Sequence, residues 1–247
     1  MLSQTDKQIY NVFEHIAEKY DLANDVFTFG QHRIWKKQVL KYSNIFENSK
    51  YLDVATGTGD LPIYLLNNSN FKVNCYATDI NQKMLDVFQE RIKIEKLDIE
   101  ISTQDARELN YESNFFNAIT ISYGIRNIPQ PESAIAEFYR ILQNNGTLVI
   151  LETGVPSGIL KTPYSIYAKY IIPLLGKIIT KQKWAYDYLN KTANKFPFAI
   201  DFVDLVKNSA NFELMKLERK LFGASYIYVF KAVKWFMSNY YSININF

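Results

Sequence analysis

The stretch that most constrains this chain is Tyr51-Leu-Asp-Val-Ala-Thr-Gly-Thr-Gly-Asp60, followed by Leu61-Pro62-Ile63-Tyr64-Leu65-Leu66. A short apolar run ends in two glycines one residue apart and a second apolar run follows, which reads as strand, tight turn and helix. Glycines are expected there because a turn at the carboxyl end of a strand calls for positive φ and close backbone approach to a ligand, both of which a Cβ obstructs. Asp60 is expected to cap the helix, and Pro62 suits its first turn. The run Gly57-x-Gly59-x-x-Pro62 matches a dinucleotide fingerprint only partly. Proline stands where a third glycine would allow close helix–strand packing, which counts against a nicotinamide cofactor.

A second acid strengthens the ligand reading. Phe71-Lys-Val-Asn-Cys-Tyr-Ala-Thr-Asp79 reads as the next strand, and its terminal carboxylate falls about 20 residues after Gly59, where a ribose-binding acid is expected. The alternative for Asp79 is a cap on the helix that begins at Asn81.

At 247 residues and 48% hydrophobic content the chain has ample material for a core, and its net charge of +3 does not call for a nucleic-acid partner. The single cysteine, Cys75, excludes an internal disulfide framework and sits inside a strand as core filler. No metal site is expected. The first thirty residues carry Asp6, Glu14, Glu18, Asp21 and Asp25, no arginine and no apolar block, so they suit neither a transit peptide nor a secretory signal. A cytoplasmic protein is the expectation.

Residues 5–20 place Ile9, Val12, Phe13, Ile16 and Ala17 on one helical face, ahead of a loop at Asp21-Leu-Ala-Asn24 and a second helix beginning near Gln31. From residue 51 onward, strands are expected near 51–55, 72–78, 98–102, 115–122 and 147–152, and helices near 61–68, 81–95 and 131–142, with an irregular link at 105–112. Such alternation means parallel strands with crossover helices, hence a doubly wound sheet that binds ligand at the carboxyl ends of its strands. Those ends supply Gly57 and Gly59, Asp79, Asp105 and Ala106, and Ser122-Tyr-Gly-Ile-Arg-Asn127. Asp105 is placed to accept from an adenine amino group, or else is an ordinary loop aspartate.

Residues 156–197 change character, with Lys161, Lys169, Lys177, Lys181, Lys183, Lys191 and Lys195 against one acid, Asp187, interleaved with Tyr164, Tyr167, Tyr170, Trp184, Tyr186 and Tyr188. The apolar part, residues 159–179, is too interrupted to span a bilayer. Lysines beside aromatic rings suit either a membrane surface or a basic lid over the site, and the two are compatible. A helix over Ile200–Asn211 precedes two strands, Glu213–Phe222 and Ser225–Ala232, with only Gly223-Ala224 between them, an antiparallel hairpin closing the sheet. The expected fold is α/β: a Rossmann-like, doubly wound, mostly parallel seven-stranded sheet ending in that hairpin. One domain is expected, made of a helical cover (1–50), a cofactor-binding core (51–155), a lid (156–197), a last helix and hairpin (198–234) and an aromatic tail (235–247) that docks on the body or lies on lipid.

These residues resemble one family, the class I methyltransferases of quinone biosynthesis that act on demethylmenaquinol or on 2-polyprenyl-6-methoxy-1,4-benzoquinol. Asp53 with the glycine pair forms the D-x-A-x-G-x-G run of Rossmann-like S-adenosylmethionine-dependent methyltransferases. More specific signatures follow in order: Lys19-Tyr-Asp-x-x-Asn24, Phe29-Gly-x-His-Arg-x-Trp-Lys36, Gly57-Thr-Gly-Asp-Leu61, Asp79-Ile-Asn81 with Met84-Leu85, Ile119-Thr-Ile-Ser-Tyr-Gly-Ile-Arg-Asn127, Tyr139-Arg-Ile-Leu142 and Leu148-Val-Ile-Leu-Glu152. There are departures at Ala55-Thr56, at Glu152-Thr153 and at Asn144-Asn145-Gly146, where Asn-Gly serves as a turn because Asn tolerates positive φ.

The resemblance implies C-methylation of a polyprenylated quinol with S-adenosylmethionine as donor, and S-adenosylhomocysteine as product. It places cofactor contacts on Thr58, Asp79, Asp105, Ala106 and Ser122, beside Asp53, Gly57 and Gly59. A quinol ring becomes nucleophilic when a phenolic proton leaves. Arg126 is the expected phenolate stabiliser, with Asn127 and Tyr123 orienting the ring and His32 as the rival base. A substrate with such a tail draws the protein to the inner face of the membrane as a peripheral partner, and a homodimer is the candidate assembly. A nucleic-acid methyltransferase is disfavoured by the lack of an Asn/Asp-Pro-Pro-aromatic run or a Pro-Cys nucleophile, and a cofactor-fold binding module without activity by the intact Gly57, Gly59, Asp79 and Arg126.

Overall fold

The computed structural model describes residues 4–193 and 195–234, so the aromatic tail lies outside the described residues. Seven strands form one sheet: β1 (Lys50–Val54), β2 (Asn74–Asp79), β3 (Glu100–Thr103), β4 (Phe116–Ser122), β5 (Leu142–Thr153), β6 (Phe212–Lys220) and β7 (Ser225–Ala232). Their order is β3-β2-β1-β4-β5-β7-β6, with β1 to β5 parallel and β7 antiparallel to both of its neighbours. Strand order reverses between β1 and β4, and in a doubly wound sheet a crevice opens at the carboxyl ends on either side of such a point.

Side chains alternate between two helical layers. Leu52, Val54, Ile119, Ile121, Leu148 and Ile150 pack with α6 (Pro131–Ile141) and α10 (Ile200–Ser209). Tyr51, Ala118, Val149 and Leu151 meet α3 (Gln31–Tyr42), α4 (Asp60–Asn68) and α5 (Gln82–Glu95) on the other face, and Cys75 is buried among them. Both faces are covered, which is why the central strands read as nearly unbroken apolar runs.

A third cluster joins the leader to the lid. α1 (Gln4–Ile16) and α2 (Tyr20–Thr28) contribute Val12, Ile16 and Ala23, which pack with Met84 of α5 and with Ala185 and Tyr186 of α9 (Lys183–Ala193). The rest of the lid is α7 (Lys161–Ile166), a π-helical turn at Tyr167–Ile171 and α8 (Ile172–Thr180). Gly176 brings α8 against α9 so closely that a Cβ would lie 2.1 Å from the Tyr186 ring.

Several local expectations give way to tertiary contacts. Asp21-Leu-Ala-Asn24 is helix rather than loop, because Ala23 is fully buried and the Asp21 carboxylate accepts from the Thr58 hydroxyl at 2.8 Å. Asp60 does not cap α4. The cap position is Gly59 at φ 83° with no side-chain bond, and the Asp60 carboxylate is engaged by Lys36 and Arg91. Strand β2 starts two residues later than expected, since the Lys72 carbonyl is taken by the Asn48 amide in a turn. Asn144-Asn145-Gly146 is a bulge inside β5 rather than a turn before it: Asn145 takes φ 63°, and the pairing with β4 slips between Phe116 and Ala118. The β6–β7 link is also longer than Gly223-Ala224, because Leu221 and Phe222 turn left-handed and leave the strand.

Candidate active site

Two adjoining cavities, one larger than the other, lie at the carboxyl ends of β1, β2 and β4 and share Ile9, Ala55, Asp79, Ile80, Asn127 and Ile128. Together they form one cleft, roofed by Ile9, Tyr10 and Phe13 of α1. The roof is tied down at two points. The Asn81 amide donates to the Tyr10 carbonyl at 2.9 Å, and the Arg107 guanidinium lies 3.2 Å from the buried Asp6 carboxylate.

The glycine turn forms the floor. Gly57 (φ 58°) donates its backbone N–H to Asp79 Oδ2 at 2.9 Å, and a Cβ there would meet nothing within 4 Å, so it would project into the open cleft. Gly59 is buried differently: its missing Cβ would fall 2.0 Å from the Phe88 ring. The helix cap that Asp79 could have supplied comes from Asn81, whose side chain accepts from Met84 N at 3.1 Å. Asp79 accepts instead from the Gly57 and Asn81 amides, and burial raises its pKa against those bonds.

Asp53 accepts from Thr120 Oγ1 at 2.6 Å and Thr56 Oγ1 at 2.7 Å, and burial lifts its pKa to about 7 although both hydroxyls favour the anion. Ser122 Oγ and Asn127 Oδ1 are buried without a hydrogen-bond partner among the described residues, and both residues line the cleft. Such orphaned polar atoms fit a ligand rich in hydroxyls and amines. Thr58 lines the same wall, with its hydroxyl given to Asp21. Asp105 and Ala106 line the far end, where the Asp105 carboxylate is chelated by Arg107, at 2.6 Å from Nη2 to Oδ2. A ligand amine reaching Asp105 shares it with that guanidinium.

Of the expected catalytic residues, Tyr123 and Asn127 line the cleft, while Arg126 and His32 stand outside its walls. Arg126 Nη1 bonds Glu152 Oε1 at 2.5 Å and the Tyr123 carbonyl at 2.9 Å, and its Nε is buried without a partner among the described residues. It sits directly behind the cleft wall, close enough for its charge to act on Tyr20, Tyr123, Tyr164 and Tyr188. His32 is 1% exposed and bonds Asp25 through Nε2 at 2.9 Å, which ties α3 to α2, and burial lowers its pKa.

Sequence reasoning assigned no role to a charged group at the near end of the cleft. Lys36 Nζ lies 2.8 Å from Asp60 Oδ2, and Arg91 Nη1 reaches Asp60 Oδ1 at 2.9 Å, Asp21 Oδ2 at 3.1 Å and the Thr58 carbonyl at 2.8 Å. Lys36, Asp60, Tyr20 and Thr58 line the cleft there. A signal was present, because Lys36 falls among the buried positions His32, Trp35 and Val39 of α3, a face where an unpaired lysine is costly.

The model of the ubiE/COQ5 methyltransferase family matches residues 1–233. The chain is 36% identical over 221 residues to the ubiquinone/menaquinone biosynthesis C-methyltransferase UbiE of Bdellovibrio bacteriovorus, covering 89% of this chain and 94% of the relative. It is 34% identical over 225 residues to the demethylmenaquinone methyltransferase of Bacteroides fragilis, covering 90% and 91%. Among solved structures, a SAM-dependent methyltransferase of Thermotoga maritima, described as a possible histamine N-methyltransferase, aligns with a TM-score of 0.62 at 17% identity over 90% of this chain and 99% of that one. That likeness shows the fold.

Proposed function

The chain belongs to the ubiE/COQ5 methyltransferase family, the S-adenosylmethionine-dependent C-methyltransferases of quinone biosynthesis, and we propose that its substrate is demethylmenaquinol, methylated to menaquinol. The similarity to a demethylmenaquinone methyltransferase over nine-tenths of both chains is consistent with the naphthoquinol. The second reading, methylation of 2-polyprenyl-6-methoxy-1,4-benzoquinol, is kept open by the similarity to an enzyme named for both quinones. The observation that carries the chemistry is a single cleft lined both by the carboxylates of Asp53 and Asp79 and by Tyr20, Tyr123 and Asn127, and backed by the Arg126 cation.

S-adenosylmethionine supplies an electrophilic methyl group, so the remaining task is to hold the acceptor carbon in line and make it nucleophilic. Positioning of this kind is worth up to ~7–11 kcal/mol. Loss of a phenolic proton to water sends electron density to the adjacent ring carbon, which then takes the methyl group and later loses its own proton. An oxidised quinone has no phenolic proton to lose, so the substrate must be reduced. Asn127 and Tyr123 orient the ring. Arg126, charged at every relevant pH, favours the phenolate through the wall rather than by contact, and Glu152 fixes the guanidinium in place. Arg126 is therefore a positioning and electrostatic residue, and His32 serves the α2–α3 junction.

A polyprenyl tail must be met at a bilayer. The outward face of the lid carries Ile166, Tyr170, Leu174 and Ile178 at four-residue spacing, each more than half exposed, with Lys161, Lys169, Lys177 and Lys181 beside them. No helix among the described residues is long and apolar enough to cross a membrane. An interfacial helix of this kind suits the anionic inner surface, where each lysine contributes about 1 kcal/mol.

Supplying the purified chain with S-adenosylmethionine and each quinol in turn tests the assignment. Faster turnover of demethylmenaquinol is expected, and a preference for the benzoquinol would reverse it. Arg126→Ala should lower kcat, by less than the roughly 10²–10³ that follows loss of a donor in direct contact with an oxyanion, with unchanged affinity for S-adenosylhomocysteine. Full turnover in that variant removes Arg126 from the chemistry.

A further inference from the structure

Lys36 is a second buried cation at the cleft, and the chemistry above gives it no task. It rises from the core face of α3, its side chain is 14% exposed, and it lines the larger cavity. An ammonium carries three donors, and Asp60 is the one acceptor within hydrogen-bond distance of Nζ among the described residues. Asp60 does not depend on Lys36, because its other oxygen is held by Arg91 at 2.9 Å. Arg91 itself is spent on Asp21, Asp60 and the Thr58 carbonyl and does not line the cleft.

The two ends of the cleft differ in chemistry. Asp105 and Ala106 line only the smaller cavity, Lys36, Thr58 and Asp60 line only the larger, and Asp79 lies between them and lines both. A nucleoside with its base toward Asp105 and its ribose on Asp79 therefore directs its 5′ substituent past Gly57 toward Lys36. In S-adenosylmethionine that substituent ends in an α-carboxylate. We propose that Lys36 is the carboxylate subsite of the cofactor cleft, its Nζ receiving the amino-acid carboxylate of S-adenosylmethionine and of S-adenosylhomocysteine while Arg91 keeps Asp60 neutralised. The assignment rests on the reading that this cleft holds S-adenosylmethionine. Burial alone would favour the neutral amine, but Asp60, Tyr20 and Asp21 together raise the Lys36 pKa and keep the cation available.

Calorimetry with two ligands separates this role from a structural one. S-adenosylhomocysteine and its decarboxylated analogue, which keeps the nucleoside, the sulfur and the amine, are titrated into the full chain and into Lys36→Met and Lys36→Arg. For the wild type, the carboxylate should improve affinity at least tenfold, in line with a charge-assisted hydrogen bond of about 1.5–3 kcal/mol. In Lys36→Met that advantage should fall to about twofold or less while the analogue binds as before, and Lys36→Arg should restore most of it. Equal weakening of both ligands in Lys36→Met, or an undiminished carboxylate advantage, overturns the assignment. The wild-type ratio needs no variant to fold, and a ratio near one also overturns it. Failure of the wild type to bind either ligand would instead overturn the cofactor reading itself.

Discussion

A methyl group added at Gly57 would enter open cleft, whereas one added two residues later would strike the buried ring of Phe88. The two glycines of one turn therefore fail in different ways. Gly59→Ala combines left-handed strain of about 1–2 kcal/mol with overpacking of about 1–3 kcal/mol, and should lower the urea midpoint clearly. Gly57→Ala carries only the strain, so it should fold and bind S-adenosylhomocysteine at least tenfold more weakly by calorimetry. Asp53 gives a pH signature. Its folded pKa, about 7, lies above the usual carboxylate value of 3.8, so the folded state holds a proton that the unfolded chain has released between those values. Stability from this group is present below about pH 4 and lost as pH rises to 7. Asp53→Asn should remove that downward component from thermal melts across the window, and an unchanged pH slope would contradict the buried environment. That Asp53, Asp79, Asp105, Gly57 and Ser122 line one cleft was legible because they stand at the strand ends of a doubly wound sheet, whereas Gly59 packs against Phe88 instead. Lys36 escaped assignment and Asp60 was misread as a helix cap because their pairing spans 24 residues of chain.

Element by element, the strands and crossover helices follow their apolar periodicity, and the discrepancies fall where a distant contact overrules a local signal. α2 is the clearest case. Its Asp21 and Asn24 look like loop residues, yet Ala23 is buried and Asp21 is fixed to the glycine turn through Thr58 and Arg91. The β5 bulge likewise needs β4 to define it. The lid was legible as lysines among aromatics, but its outward stripe required the π-helical turn and the α8–α9 contact to become visible. That stripe makes an element-scale prediction: the protein should sediment with anionic liposomes and be released by salt, and Leu174→Asp with Ile178→Asp should abolish sedimentation without changing affinity for S-adenosylhomocysteine. Equal binding of both proteins to neutral vesicles at high salt would contradict the lid face.

At the scale of the whole molecule, a sheet buried on both faces brings backbone amides, carboxylates and a cavity together at the reversal of strand order between β1 and β4. The leader closes that place from above through α1, and α9 packs against the leader through Ala185 and Tyr186. The tyrosines on which the Arg126 charge acts come from the leader, the β4 end and two helices of residues 156–197, so this cluster forms only when all three pack together. This is why it was less readable from sequence than the residues at the strand ends. Methyl transfer to an electron-rich ring is read out by label transfer from methyl-labelled S-adenosylmethionine to demethylmenaquinone, supplied either reduced under anaerobic conditions or oxidised. Label should enter the ring of the reduced form alone. Equal labelling of both forms, or none of the quinol, would contradict it.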